Sequence, residues 1–260
     1  MINPFAAPVF YEETVATTMT VSRELAAQGH PHGTVIAADF QEAGRGRTSE
    51  RIWETEKGQA LAFTVLLRYA KIAAIPRALT LRAGLAVCLA IEDFSPALKG
   101  RVRIKWPNDI MADSRKICGI LSESDGQAVY IGIGVNVCQA EFPPHLRGKA
   151  ASIRSESGAD IAPHARFALL EKILARLYAE LEEGGNALPD SVPGVDSWRG
   201  SIEARLYKKG EQVSFVPGAA SSDSAVTGTL AGIGPAGELL LTPDGSGGPL
   251  SFFSGELRVY

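Results

Sequence analysis

The sequence predicts an α+β domain over roughly residues 1–197 and a small β-barrel over residues 198–260. Three observations carry that expectation. In the first part, short runs rich in β-branched and aromatic residues alternate with two long segments of helical periodicity. After about Trp198 only short apolar runs remain, spaced by Lys-Gly, Pro-Gly, Gly-Pro and Asp-Gly turns. The chain has 260 residues, 45% of them apolar, which is enough to bury a sizeable core.

In chain order, Val35–Phe40 (VIAADF) is an apolar run leading into a Gly/Arg stretch, and Gln59–Leu67 (QALAFTVLL) reads as a buried strand. Leu79, Ala83, Ala86, Val87, Ala90 and Ile91 recur at three- and four-residue spacing, so Pro76–Phe94 reads as a helix with Pro76 near its first turn. Val102–Lys105 is a short strand cut off by Pro107. Lys116–Glu123 and Ala128–Val137 form a hairpin turning at Ser124-Asp125-Gly126-Gln127. His164–Glu183 carries Leu170, Ile173, Leu174, Leu177 and Leu181 on one helical face, with Gly184-Gly185 as its stop. The barrel strands are expected at Ala204–Leu206, Val213–Val216, Thr227–Ala231, Glu238–Leu241 and Leu250–Phe253.

Composition excludes several function classes. The formal charge is −3, from 26 basic and 29 acidic side chains, which argues against a general polyanion binder, so any anion site is local. Cys88, Cys118 and Cys138 lack ligand or disulfide spacing and read as free thiols of a reducing compartment. The N-terminus has no signal-peptide pattern, and no run reads as the roughly 18–20 apolar residues needed to span a bilayer. A cytoplasmic protein is expected. His30 and His32 sit among Gly29, Pro31 and Gly33 and read as loop residues, and no metal site made of protein ligands alone is assigned.

Four polar clusters interrupt this frame. In Gly44–Glu54 (GRGRTSERIWE), glycines free backbone N–H groups for close approach and arginines can fork onto phosphate or carboxylate. Trp53 offers a stacking face, although a mobile surface turn with a core tryptophan fits the same letters. In Lys105–Asp109 (KWPND) a strand stops at proline and presents Asn108 and Asp109, as metal or lysine partners or as an ordinary turn. Lys116–Glu123 (KICGILSE) sets a lysine at a strand mouth, three residues before Gly119. In Tyr130–Val137 (YIGIGVNV), Gly132 and Gly134 strip side chains from one strand face, and Asn136 could read a purine edge. That last run lacks the third glycine and the helix of a dinucleotide-binding turn.

Together and in this order, GRGR…W, KWPND, KxxGIL and GIGxN resemble the biotin protein ligases over nearly the whole chain. The resemblance implies a mixed-sheet catalytic domain of the biotin/lipoate ligase type with helices packed on the sheet, then an SH3-like barrel. It implies joining of biotin to ATP with Mg²⁺, giving biotinyl-5′-AMP, and transfer of the biotinyl group to a lysine of a biotin carboxyl carrier domain. By this pattern Arg45 and Arg47 lie in a loop closing over the adenylate, with Arg45 on both biotin and nucleotide and Arg47 on the phosphates. Lys116 bridges the biotin carboxylate and the α-phosphate, and Asp109 lies near the phosphates and the incoming lysine. Trp53 and Asn136 hold the adenine, with Lys105 and Asn108 beside the nucleotide. Gln41, Thr17 and Thr18 bind the ureido ring, and Gly119, Gly132 and Gly134 leave room for the bicycle and its chain.

The sequence departs from the pattern at Met19, where the family's Ser-Thr-Asn becomes Thr17-Thr18-Met19, and at Thr48-Ser49-Glu50, which places a carboxylate in the phosphate-facing loop. The chain opens directly on the catalytic domain, so no DNA-binding role is expected. An edge strand could serve a homodimer or the carrier. The rival readings are a lipoate or octanoate ligase of the same fold, a non-catalytic biotin- or adenylate-binding paralogue, and a nucleic-acid module suggested by GRGR alone.

Overall fold

Apolar strands that are buried on both faces need a covering layer on each, and the chain supplies it by folding helices over one wide sheet. The computed structural model describes residues 1–47, 52–126, 128–183, 197–218 and 225–258. Thr48, Ser49, Glu50 and Arg51, the turn residue Gln127 and the Gly184-Gly185 stop lie outside the described residues.

The first part runs β1 (Val9–Val15), α1 (Thr18–Ala27), β2 (Thr34–Gln41), β3 (Ala60–Arg68), α2 (Leu79–Phe94), β4 (Val102–Lys105), β5 (Asp109–Ala112), β6 (Arg115–Ser124) and β7 (Ala128–Asn136). The helices α3 (Ile153–Ser157) and α4 (Arg166–Leu181) follow. The strands form a seven-stranded sheet in the order β1-β2-β3-β7-β6-β5-β4. β1 and β2 pair in parallel, with α1 in the connection between them, and the other neighbours pair antiparallel. α2 is apolar nearly all round, with Leu81–Ile91 buried. It packs against α4, and Ile104, Ile110 and Ile120 of the sheet crowd the space beside its Gly84. Truncating one of these large core side chains to alanine costs about 2–5 kcal/mol. By length and composition alone Ile72–Phe94 could cross a membrane, contrary to the expectation that no run is apolar enough, yet this helix is part of the core.

β1, α1 and β5 were not expected from the pattern. β1 (VFYEETV) is an edge strand with four successive exposed residues, and α1 buries only Thr18, Ser22 and Leu25, so neither shows an apolar period. β5 is too short to stand out from the KWPND turn, which is the tight connection of a β4–β5 hairpin with Lys105 opposite Asp109. Pro76 lies outside α2, which begins after Ala78, a residue at φ 53°. The later helix starts at Arg166, behind a 3₁₀ turn over Pro163–Ala165.

The second part begins with α5 (Ser197–Ala204), then β8 (Gln212–Pro217), β9 (Val226–Ile233), β10 (Leu239–Pro243), β11 (Leu250–Phe252) and β12 (Gly255–Arg258). The five strands form an antiparallel sheet in the order β11-β10-β9-β8-β12. Ala204–Leu206 is a correction: it forms the end of α5 and a single bridge from Leu206 to Ile104, and the fifth strand is Gly255–Arg258. α5 packs on α2 and also touches β9, with Ile202 fully buried. Trp106 of KWPND ties the parts together. Its indole N–H donates to Gly237 O at 3.0 Å and its ring meets Phe215 edge-on.

Candidate functional site

Sheet register builds the site. Across one face, Ala38, Ala62, Gly134, Gly119, Asp109 and Lys105 are successive cross-strand partners from β2 to β4. Direct partners project to the same face, so this row passes from small side chains through two bare glycines to a carboxylate and an ammonium. The opposite face carries the isoleucines that meet α2. Gly134 is required by the ring that lies on it, and Gly119 leaves room for a lysine end. A Cβ at Gly134 would stand 2.7 Å from Trp53 Cε2, and one at Gly119 would stand 3.2 Å from Lys116 Nζ.

Two cavities lie along this row. The first, about 230 Å³, is lined among others by Thr17, Thr18, Gln41, Arg45, Gly119, Gly132 and Gly134. The second, about 370 Å³, is lined among others by Arg47, Asp109, His145 and Leu146. Gly46, Trp53, Asn108 and Lys116 belong to both and form the wall between them.

The end of the first cavity at the start of α1 holds a neutral hydrogen-bond network, with the Arg23–Glu123 ion pair also in the cavity lining. Thr17 caps α1, its side chain accepting from Thr20 N, which fixes where the helix starts. Thr18 donates to Gln41 Oε1 twice, from its backbone N–H at 2.8 Å and from its hydroxyl at 3.1 Å. Below them the fully buried Thr64 donates to Thr18 Oγ1 at 2.8 Å. Met19 lines the cavity and lies against Gly132, where a Cβ would sit 3.0 Å from its Sδ. β2 is anchored just before Gln41. Burial pushes the Asp39 carboxyl up, but hydrogen bonds from Tyr11 and Arg166 outweigh it and hold the carboxyl below its ordinary value.

The wall and the second cavity are charged. Lys116 Nζ is 2.6 Å from Asp109 Oδ1, and Lys105 Nζ is 3.9 Å from Asp109 Oδ2, so one carboxylate holds two ammonium groups. Lys116 also lies 5.8 Å from the Trp53 ring centroid. The GRGR segment is a flap held at its base by Trp53 N donating to Gly44 O and by a bridge between Arg45 and Ile52. Arg47 donates to Gly255 O at the start of β12, a contact between this flap and the barrel. Behind the sheet, burial raises the Cys118 thiol well above its usual range, so it stays neutral and inert.

The structure thus brings Thr17, Thr18, Gln41, Arg45, Arg47, Trp53, Asn108, Asp109, Lys116, Gly119, Gly132 and Gly134 to two adjoining cavities. Lys105 is buried behind Asp109 and lines neither. Asn136, expected at a purine edge, is also not among the lining residues. It is buried at the end of β7, donates to Ala151 O and accepts from Gln139 Nε2. Asn108 gives one of its side-chain N–H groups to Ile120 O. Trp53 lies on the glycine strands between the cavities rather than over the second one alone. Sequence reasoning missed Thr64, whose only signal is a lone hydroxyl in QALAFTVLL. It also missed His145 and Leu146, which carry no motif.

Residues 11–136 match the model of the biotin/lipoate A/B protein ligase family. A biotin–[acetyl-CoA-carboxylase] ligase of Paracoccus denitrificans is 34% identical over 215 residues, covering 79% of this chain and 82% of that protein. The bifunctional ligase/repressor BirA of Bacillus spizizenii is 37% identical over 160 residues, which are 59% of this chain and 48% of that protein. The chain therefore spans about half the length of the Bacillus relatives it matches. Among solved structures, the biotin protein ligase of Aquifex aeolicus in complex with biotin and ATP superposes with a TM-score of 0.76 at 27% identity, covering 96% of this chain and 97% of that one.

Proposed function

Because this chain belongs to the biotin/lipoate A/B protein ligase family, we propose that it is an ATP-dependent ligase that activates biotin as biotinyl-5′-AMP and passes the biotinyl group to a lysine of a biotin carboxyl carrier domain. One observation carries this reading: two cavities, one with the neutral Thr18–Gln41 network in its lining beside the Arg23–Glu123 pair and one rimmed by Arg47, Asp109 and His145, meet at a wall containing Lys116. A relative named for acetyl-CoA carboxylase and a neighbour holding biotin and ATP support the same substrates.

In the first step a biotin carboxylate oxygen attacks the α-phosphorus of ATP, forming the C–O–P linkage as pyrophosphate leaves. Two anions must approach, and Lys116 is the cation placed where both cavities meet, so it neutralises both reactants. Exchange of the Lys116–Asp109 contact for these anions frees Asp109 as the carrier lysine arrives. That amine gives its proton to the freed Asp109 carboxylate and attacks the acyl carbon, the C–O bond to phosphate breaks, and AMP departs. Arg45 and Arg47 close over the phosphates, and Trp53 covers the linkage between the two substrates. Among the described residues no three His, Cys, Asp or Glu side chains gather as a metal cage. Asp109 offers a carboxylate beside the phosphate path, which suits Mg²⁺ held mainly by nucleotide oxygens. The catalytic steps are assigned to residues 1–197 and the barrel to residues 198–260, and the three buried thiols suit a reducing, cytoplasmic setting.

Biotin is favoured over lipoate by the α1 end of the first cavity. A ureido ring can engage Gln41 and the threonines, whereas a dithiolane brings no hydrogen-bonding partner and leaves those polar groups desolvated. The test is incubation with ATP, Mg²⁺, biotin and a carrier domain, followed by intact-mass measurement of the carrier. One added biotinyl group is the expected result; transfer of lipoate instead would overturn the reading.

A further inference from the structure

We propose that Thr64 is a positioning residue for the biotin head group, acting through Thr18 and Gln41 without lining the cavity. The inference rests on the reading that the α1 end of the first cavity receives the ureido ring. Its argument is the direction in which protons run along three side chains. A backbone N–H can only donate, so Thr18 N fixes the oxygen of the Gln41 amide toward α1. That oxygen cannot donate, so the Thr18 hydroxyl 3.1 Å away must give its single proton to Gln41. Thr18 then has only lone pairs left, and the Thr64 hydroxyl, fully buried on β3, must donate to it.

The constraint runs from Thr18 N to Gln41, back to the Thr18 hydroxyl and on to Thr64, while the protons run from Thr64 to Thr18 to Gln41. Two consequences follow for a ligand. The Gln41 amide must offer N–H donors on its other side, toward the cavity and the Gly44 end of the flap, where a Cβ would stand 3.3 Å from Nε2. Thr18, which also lines the cavity, keeps one lone pair to accept an N–H. A cyclic urea presents one carbonyl and flanking N–H groups, the complement of that set. Thr64 stands opposite Gly132 in the β3–β7 register, so it reaches α1 beside a strand position with no side chain. Without the Thr64 donor, the Thr18 hydroxyl loses the partner that pins its oxygen. Thr18 is then held by Gln41 alone, so its oxygen is less firmly placed for a ligand N–H, and that order has to be gained on binding.

The test compares Thr64→Val, which keeps the shape and removes the hydroxyl, with Thr64→Ser, which keeps the hydroxyl. KM for biotin and for ATP and kcat for biotinyl-AMP formation are measured on the full chain. Thr64→Val is expected to raise biotin KM about five- to tenfold, the scale of one net hydrogen bond, with kcat and ATP KM within about twofold. Thr64→Ser should return biotin KM to within about twofold of the parent. On a Gln41→Ala background, Thr64→Val should add no further loss, because the two act as one unit. If Thr64→Val is recovered unfolded, Thr64→Ala carries the same readouts. A folded Thr64→Val or Thr64→Ala variant with parental biotin KM, or equal shifts in biotin and ATP KM, would overturn the positioning role alone. A parent chain that makes no biotinyl-AMP would overturn the ligase reading and this inference with it.

Discussion

The two ends of the site are built on opposite principles. At the neutral end, Thr18, Gln41 and Thr64 on α1, β2 and β3 are hydrogen-bonded to one another, with Thr17 capping α1 beside them through Thr20. At the wall and beyond, Lys116 and Asp109 are held against each other, and Arg47 lies in an exposed flap donating to Gly255 of the barrel. Neutral donors and acceptors lose little by being fixed before a ligand arrives, because their partners are satisfied in both states. Charged groups that must meet an anion need a counter-charge in the meantime, since an unpaired, partly buried charge is costly. On the proposed ligase reading, the difference teaches that recognition of the head group would be preformed, while the phosphate end would be assembled by exchange of partners.

Removing the charge at the wall is the sharpest way to break this comparison. Lys116→Ala is expected to lower biotinyl-AMP formation about 10³-fold, while calorimetric biotin affinity changes far less. Equal loss of both would mean that the two ends are not independent. Gln41→Ala should do the reverse, weakening biotin binding about tenfold and leaving the rate at saturating biotin nearly unchanged, as separate KM and kcat values would report. Salt gives a smaller separation. Raising ionic strength from about 0.05 to 0.5 M should increase ATP KM a few-fold and move biotin KM much less, because screening acts on exposed charge.

The smallest expected effect concerns the support of the neutral end. Asp39 is held below its unfolded value of 3.8, so its contribution to stability is whole above that value and is lost as pH falls through the lower folded pKa. Asp39→Asn should therefore lower the thermal midpoint by a few degrees near neutral pH and converge on the parent as pH falls below the lowered folded pKa, as followed by circular dichroism.

Much of this was legible in the letters. The buried strands of the sheet and the two long helices follow from periodicity, and the polar clusters follow from glycine, proline and charge at strand ends. Even the alternation Gly132, Gly134 announced a bare strand face, and the structure lays Trp53 and Met19 on it. Elements with half-exposed faces, β1 and α1, were illegible because their residues carry no apolar period. Asn136 shows a second kind of limit. Its place at a strand end suggested a ligand; within the protein its amide pairs with Ala151 and Gln139, and no local pattern foretells which protein partners an amide finds.

The sequence by itself determined the chemical inventory and its order along the chain: a flap of glycine and arginine, a lysine before a glycine, a carboxylate after a proline turn. Only the tertiary structure decided which of those groups share a cavity, which are withdrawn from it, and which way each proton points. The reason is distance along the chain. Thr18 and Gln41 are 23 residues apart, Thr18 and Thr64 are 46, and Arg47 and Gly255 are 208. Hydrogen-bond direction is settled by the partner, and here the partner is supplied by sheet register and helix placement rather than by neighbouring residues.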